Sequence, residues 1–196
     1  MIKKVTLIIL LLISFDSNSQ TEIKINLASA LALIPNIGLE VQLNEKFGYQ
    51  LDTSASFWDS IDNNPFQFVQ IFNELRYYPK NYNRSLFLGF HVGYGMFNIK
   101  NPKLLTSIVD TQFKPDGSYQ IGRNTYYGLT IGKKIKLKHE KLGLEFFLGG
   151  GSSQSNYQYY NEKGNRIFGN INNERDFNKS GEELIYRGGL MFTFKL

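Results

Sequence analysis

The 196-residue chain contains no cysteine, one tryptophan and only five prolines. The absence of cysteine excludes disulfide scaffolds, zinc sites built on thiolates and cysteine nucleophiles. A mean hydropathy of −0.28 excludes a bundle of membrane-spanning helices. It does not exclude a membrane β-barrel, in which a polar face dilutes the apolar one. The chain is instead rich in aromatic residues (15%) and glycine (18 residues), with a formal charge of +5 and the length of a single domain.

A long apolar run lies at the N-terminus. Two lysines precede the run Val5–Ile13, and Ser17 and Ser19 supply small residues before a cleavage site. This three-part pattern predicts a cleaved secretory signal peptide over residues 1–19 and a mature domain over residues 20–196. The run is too short to cross a bilayer as a helix. Because no cysteine follows it, a lipoprotein anchor is excluded.

The mature chain alternates apolar residues with polar or small ones. In one segment Leu88 and Phe90 fall on one face of a strand, and Gly89 and His91 fall on the other. Such period-two patterning predicts half-apolar strands. Eight segments show it, at residues 22–33, 37–44, 47–58, 66–78, 85–98, 120–137, 141–152 and 183–196.

The connections between these segments differ in length in a regular way. Long polar stretches follow the third, fifth and seventh segments, at 59–65, 99–119 and 153–182, and short turns follow the even ones. Short periplasmic turns and longer outer loops are typical of a barrel with both termini in the periplasm. We therefore predict an all-β fold, an eight-stranded antiparallel up-and-down transmembrane β-barrel. The short first outer connection around Pro35 departs from this trend.

Alternation alone does not say which face of the barrel is outside, and a soluble lipocalin-like periplasmic barrel would reverse the sides. Glycines concentrate on the polar face, which suits a narrow interior, and aromatic residues recur near strand ends, as in interfacial girdles. Both features favour lipid outside. The aromatic residues near strand ends are Phe47, Tyr49, Phe57, Trp58, Tyr77, Tyr78, Phe192 and Phe194.

With lipid outside, the polar face becomes the barrel interior. Charges there must be paired, because a lone buried charge is costly. We predict an interior ion-pair network, joined by Lys134 or Lys136, and a small polar conduit or proton-linked gate is the functional alternative. The predicted network residues are Glu40, Asp52, Glu74, Arg76, His91, Glu145 and Arg187.

A series of short motifs runs along the mature chain. The motifs are Asn26 and Ala28, Pro35 to Glu40, Glu74 to Tyr77, Gly89 to His91, Gly95 to Asn98, Tyr127-Gly128 with Gly132, and Leu144-Glu145 with Gly149 and Gly151. In this order they resemble the DUF3575 family, small bacterial outer-membrane β-barrel proteins of unknown function. The resemblance covers nearly all of the mature chain except the 153–182 loop and the basic turn. It implies an eight-stranded outer-membrane barrel related in architecture to OmpX-, OmpW- and PorT-like proteins, and it implies no reaction.

Residues able to carry chemistry are sparse. Neither His91 nor His139 has a second histidine at metal-ligand spacing. A triad of Ser54 or Ser56 with His91 and Asp52 satisfies the strand parity, but it would lie inside a closed barrel without substrate access. The sequence after Gly128 lacks the spacing of a phosphate-binding loop. We expect no catalysis, metal or cofactor, and no nucleic-acid partner.

The outer loops are the natural place for a binding function. The aromatic and arginine content of residues 153–182 suits contact with a surface glycan or protein, and equally a loop that packs on itself. The candidate contact residues are Tyr157, Tyr159, Tyr160, Arg166 and Arg175.

Taken together, these patterns predict a monomeric barrel in the bacterial outer membrane. We expect it to contact outer-membrane lipid and to have a structural or surface-interaction role. The alternatives are a narrow channel, a transport or secretion accessory barrel, and a soluble periplasmic binding barrel.

Overall fold

The structure, a computed structural model, describes residues 20–59, 64–80, 86–100, 118–167 and 180–196. The predicted signal peptide lies outside the described residues. Within them, one short helix and nine strands occur. They are β1 (Thr21–Asn26), α1 (Leu27–Leu31), β2 (Asn36–Gln42), β3 (Phe47–Asp59), β4 (Pro65–Tyr77), β5 (Leu86–Ile99), β6 (Tyr119–Lys136), β7 (Leu142–Tyr160), β8 (Arg166–Ile167) and β9 (Ser180–Lys195).

Eight of these strands form a closed ring. Strands β1 to β7 each pair antiparallel with the next in the chain, β7 pairs with β9, and β9 returns to pair with β1. The two-residue β8 pairs only with the end of β7 and lies outside the ring. The predicted eight-stranded antiparallel barrel is thus confirmed. In the described part of the chain, no helix is both long and apolar enough to cross a membrane.

The side chains alternate across the barrel wall. In β5, Phe87 is fully buried and the next residue, Leu88, is 56% exposed. The same alternation continues along the strand, with His91 buried and Phe90 exposed. Successive strand residues point to opposite faces, so every second side chain enters the lumen. The buried side chains are mostly polar, and the exposed ones are mostly large and apolar.

Pairing around the ring is uneven. The β5–β6 ladder runs from Leu86↔Lys133 to Ile99↔Gln120. The β1–β9 ladder runs only from Glu22↔Lys195 to Asn26↔Met191. Strand β1, with six residues, is the shortest of the eight strands in the ring. The helix α1, which follows it, packs against β9.

The first segment differs from the prediction. We predicted a strand over residues 22–33, but β1 ends at Asn26 and α1 follows. The Asn26 side chain accepts hydrogen bonds from the backbone amides of Ala28 (3.1 Å) and Ser29 (3.4 Å). Asparagine is a favoured residue for starting a helix in this way. The helical residues are mostly leucine and alanine, which favour helix, so local propensity prevails over alternation.

The seventh segment is longer than predicted. We placed the end of this strand at residue 152, but β7 continues to Tyr160 as one arm of a long hairpin with β6. Tyr157, Tyr159 and Tyr160 therefore lie in a strand, so placing them in an outer loop was wrong. Arg166 forms part of β8, and Arg175 lies outside the described residues. The serines and glutamines of this stretch are polar on both faces, so the alternation of apolar and polar residues did not predict this part of the strand.

A β-bulge in β9 reverses the direction of one aromatic side chain. Gly149 pairs with Arg187 and Gly150 pairs with Ile185, so Tyr186 is the extra residue of the bulge. In the sequence of the last segment, Tyr186 has the same parity as Leu190, Phe192 and Phe194, so an unbroken alternation predicts it on the outer apolar face. Instead its hydroxyl group contacts His91 inside the barrel. A bulge breaks the period of two because an extra residue is inserted into one strand only.

Gly128 in β6 lies where two backbones approach closely. A Cβ atom at this position would be 2.0 Å from the carbonyl oxygen of Gly150 in β7. A backbone atom cannot move aside as a flexible side chain can. At Gly38 in β2, by contrast, an added Cβ would be 3.4 Å from the Cβ atoms of Asp52 and Lys24, an ordinary contact.

We therefore expect the substitution Gly128→Ala to destabilise the folded barrel by about 3 kcal/mol, the upper end of overpacking costs. The substitution Gly38→Ala should leave stability nearly unchanged. Thermal unfolding of the two detergent-folded variants, followed by circular dichroism, measures the difference. Equal melting temperatures would contradict the close approach at Gly128.

Candidate functional site

The barrel interior holds a cluster of buried charged side chains. The described residues include five buried carboxylates and four buried cationic groups. Most of the cluster comes from the inward-facing positions that strand alternation defines. The acidic members are Glu22, Glu40, Asp52, Glu74 and Glu145, and the basic members are Lys24, Arg76, Lys134 and Arg187.

Arg76 in β4 lies at the centre of this cluster. Its Nε donates to Glu74 Oε1 at 2.6 Å, and its Nη1 donates to Glu40 Oε2 and to Glu145 Oε1, both at 2.9 Å. The ammonium group of Lys24 also contacts Glu40 and Glu145, and it lies 2.5 Å from Glu145 Oε2. Two cations thus share two carboxylates, which neutralises all four charges in a region closed to water.

Two further cations extend the cluster in opposite directions. Lys134 Nζ lies 2.8 Å from Glu22 Oε2 and 3.2 Å from Glu40 Oε2. Arg187 donates to Glu74 Oε2 at 2.5 Å and to Asp52 Oδ2 at 2.7 Å. The result is one continuous ion-pair network.

The Arg187 contact with Glu74 spans the lumen. Strand β9, which carries Arg187, is separated from β4, which carries Glu74, by β1, β2 and β3 on one side and by β5, β6 and β7 on the other. The two strands are therefore opposite walls of the ring. A charge pair joining them therefore crosses the lumen.

His91 connects the network to a group of aromatic residues. Thr130 Oγ1 donates to Glu74 Oε2 at 3.1 Å and lies 2.9 Å from His91 Nδ1. Because the threonine hydroxyl has a single proton and gives it to Glu74, a neutral His91 carries its own proton on Nδ1. His91 Nε2 then accepts from the Tyr186 hydroxyl, 2.6 Å away.

Aromatic rings line the cationic groups. The Arg76 guanidinium carbon lies 4.1 Å from the centre of the Phe87 ring, and that of Arg187 lies 4.7 Å from the Phe72 ring. Tyr126 and Tyr186 pack beside Phe72. Cations over ring faces are attracted by the ring quadrupole. The aromatic layer therefore stabilises the positive side of the network as well as filling space.

All seven residues predicted for the interior lie in the lumen and are buried, and each of them belongs to the network or to the His91 chain by the direct contacts given above. Asp52 also accepts a hydrogen bond from Gln50 at 3.0 Å. Of the two lysines considered, Lys134 is inside and Lys136 is exposed. Glu22, Lys24 and Tyr78 were missed.

Tyr78 corrects one feature of the predicted aromatic girdle. We placed it among aromatic residues at the membrane interface, but it is fully buried and its hydroxyl donates to Glu40. It lies directly after the last residue of β4. The interior rings Phe72 and Phe87 were also missed. A signal for them exists, because each pairs with a glycine on the neighbouring strand, Gly93 and Gly132 respectively.

The considered catalytic triad is not assembled. His91 Nδ1 contacts Thr130 and His91 Nε2 contacts Tyr186, and the Ser56 hydroxyl donates to the Phe66 carbonyl at 2.5 Å. Asp52 is engaged by Arg187. Within the described ranges, no group of three or more histidine, aspartate or glutamate side chains is arranged to hold a metal ion. The arrangement suits charge neutralisation and rigidity.

The fold and this interior define a class of protein: a closed eight-stranded antiparallel β-barrel whose lumen is filled by a buried ion-pair network. Residues 5–186 match the family model described as "Protein of unknown function (DUF3575)", and the chain belongs to that family. The resemblance seen in the sequence motifs is thereby confirmed. Neither the curated proteins nor the solved structures contain a significant match.

The network generates a prediction about stability. We expect Glu74→Ala and Arg187→Ala each to lower the free energy of unfolding by about 3–5 kcal/mol, because each leaves a buried partner charge unpaired. The matched control is Glu162→Ala. It removes the exposed Lys100–Glu162 pair, whose atoms are 3.4 Å apart, and should cost less than about 1 kcal/mol.

Denaturant unfolding of the detergent-folded variants provides these free energies. Losses of equal size in the interior and control variants would show that the network does not stabilise the barrel.

Proposed function

We propose that the protein is an integral outer-membrane β-barrel with a structural or surface-interaction role and no catalytic activity. The observation that carries this proposal is the inverted polarity of the barrel wall. In β5, Phe90 and Met96 are each more than half exposed on the outer face, while His91 is fully buried in the lumen. A soluble protein distributes these residue types the other way.

The exposed apolar surface encircles the barrel. Every strand of the ring contributes large apolar side chains to it, and together they form a band far larger than the few hundred Å² that soluble monomers expose. A lipid bilayer is the solvent that such a band fits. Representative members, one from each strand of the ring, are Ile25, Leu39, Leu51, Ile71, Phe90, Leu129, Leu148 and Phe194.

A soluble binding barrel fits these observations less well. Ligand cavities of such barrels are mostly apolar, with a few polar groups that orient the ligand. Here the lumen between β4 and β9 is crossed by the Arg187–Glu74 pair, and Arg76 bridges three glutamates beside it. This filled, charged interior favours a structural barrel over a carrier of small molecules.

We expect the mature protein to fractionate with outer membranes and to migrate differently on gels before and after heating. Cells expressing the full chain, separated into periplasm, inner and outer membranes, provide the measurement. Recovery of folded protein from the soluble periplasmic fraction would overturn the proposal.

A substitution on the outer face of the barrel tests whether that face contacts lipid. Phe90→Arg should reduce insertion, since an arginine at the bilayer midplane costs about 2–4 kcal/mol in such barrels. The control Glu45→Arg, in the exposed turn between β2 and β3, also adds positive charge and should insert normally. Equal insertion of both variants would argue against lipid at Phe90.

The lumen also predicts the electrical behaviour of the barrel. Because ion pairs join opposite walls, we expect no discrete single-channel conductance in planar bilayers, at voltages where an open porin conducts. Regular conductance steps from the purified wild-type protein would favour the narrow-channel alternative.

A further inference from the structure

An apolar groove of about 590 Å³ lies across β3 to β7, near the barrel end that carries the long connections. Its lining includes Val69, Tyr94, Met96 and Ile121, all of them exposed apolar side chains. Arg123, also in the lining, is exposed. None of these residues belongs to the interior network.

The strand register shows that the groove is on the outside of the barrel. Two outward-facing rows line it, each continuous across four neighbouring strands. One row is Val69, Met96, Arg123 and Asn156, and the other is Gln67, Asn98, Ile121 and Gln158.

The residues between these two rows point inward and form the floor of the groove. The next inward-facing residues, Gln70 and Asn124, are not part of the lining. They bond to the Tyr126 hydroxyl inside the barrel, at 3.1 Å and 2.8 Å. A pocket in the lumen would contact these side chains, whereas a groove on the outer surface would not.

The two rows differ in polarity along the barrel axis. The row nearer the barrel centre carries Val69 and Met96 beside Arg123 and Asn156, and the row nearer the long connections carries three amides beside Ile121. Tyr94 lies one row further toward the barrel centre. This change from apolar to amide side chains is what the boundary between hydrocarbon and headgroups requires. With lipid outside the barrel, as proposed above, this gradient places the groove at that boundary, in the leaflet next to the long connections.

Arg123 is the charged group of this groove. It makes no ion pair with any acidic side chain in the part of the chain that the structure describes. The carboxylate of Asp59, which accepts from Gln67 at 3.3 Å, is on β3, three strand spacings and so about 14 Å from β6. An unpaired guanidinium group beside an apolar groove complements an anion attached to a hydrocarbon chain. Guanidinium groups bind phosphate oxygens with two parallel hydrogen bonds.

We propose that this groove is a specific site for one phosphate-bearing lipid of the surrounding leaflet. One acyl chain lies along Val69, Tyr94 and Met96, and the lipid phosphate binds Arg123. This inference rests on the proposed membrane location and goes beyond it, because it assigns a particular lipid chemistry to a particular part of the wall.

The test compares two probes that share their acyl chains. Dimyristoyl phosphatidic acid carries a phosphate, and dimyristoylglycerol does not. Native mass spectrometry of the full mature protein in micelles measures how tightly each is retained. For the wild type we expect phosphatidic acid to be retained about tenfold more tightly, the value of roughly one charge-assisted hydrogen bond.

Two variants separate the phosphate contact from general charge. Arg123→Gln should abolish the preference for phosphatidic acid. Lys133→Gln, at an exposed outward position near the opposite barrel end, should retain it. Inorganic phosphate added alone should not displace the lipid, which distinguishes a lipid site from a phosphate site.

The outcomes are distinguishable. A wild-type barrel that inserts into membranes but retains both lipids equally would overturn the lipid site and leave the membrane proposal intact. The same holds if Arg123→Gln keeps the full preference, or if inorganic phosphate displaces the lipid. A protein that does not fractionate with membranes would overturn both.

Discussion

The constraint on which this barrel depends is that charges removed from water must find partners. Nine charged side chains are buried in the described part of the lumen, and each lies within ion-pair distance of an opposite charge. The pairs form only if strands far apart in sequence hold their side chains at matching heights. Lys24 and Glu145, for example, come from β1 and β7. The strand register and the ion pairs therefore specify one another.

The same constraint accounts for the glycines and aromatic rings of the interior. A narrow ring leaves room for long charged side chains and rings only where the facing strand contributes no side chain. An added Cβ at Gly89 would lie 2.6 Å from Glu74 Oε1, and one at Gly93 would lie 2.4 Å from the Phe72 ring. The glycines of β5 thus accommodate one network carboxylate and one ring that covers a network guanidinium. The high content of glycine and aromatic residues in the sequence therefore follows from the crowding of the lumen.

Period-two alternation was sufficient to predict the eight strands and the seven interior residues named from parity, because both inferences need only the direction of a side chain, which strand geometry determines. The antiparallel order was predicted from the regular exchange of short and long connections. The failures have a different cause. The start of α1 depends on a hydrogen-bonding cap at Asn26, and the inward turn of Tyr186 depends on a bulge, neither of which a regular period contains. Which cation meets which carboxylate depends on register across the lumen. Lys24 has the inward parity of its strand, but alternation alone did not single it out as a network member.

Because the first strand is short, the ring has a weakly paired junction between β1 and β9, which we call the seam. Strand β1 contributes few ladder pairs to either neighbour, while β5 to β7 are joined along long hairpins that form from adjacent sequence. Closing the ring requires the two ends of the chain to meet, which makes the β1–β9 junction the pairing of greatest sequence separation. Lys24 at this seam contacts Glu40 and Glu145 on either side. At this junction one lysine therefore adds charge pairs to both sides of a strand that the backbone alone joins with few hydrogen bonds.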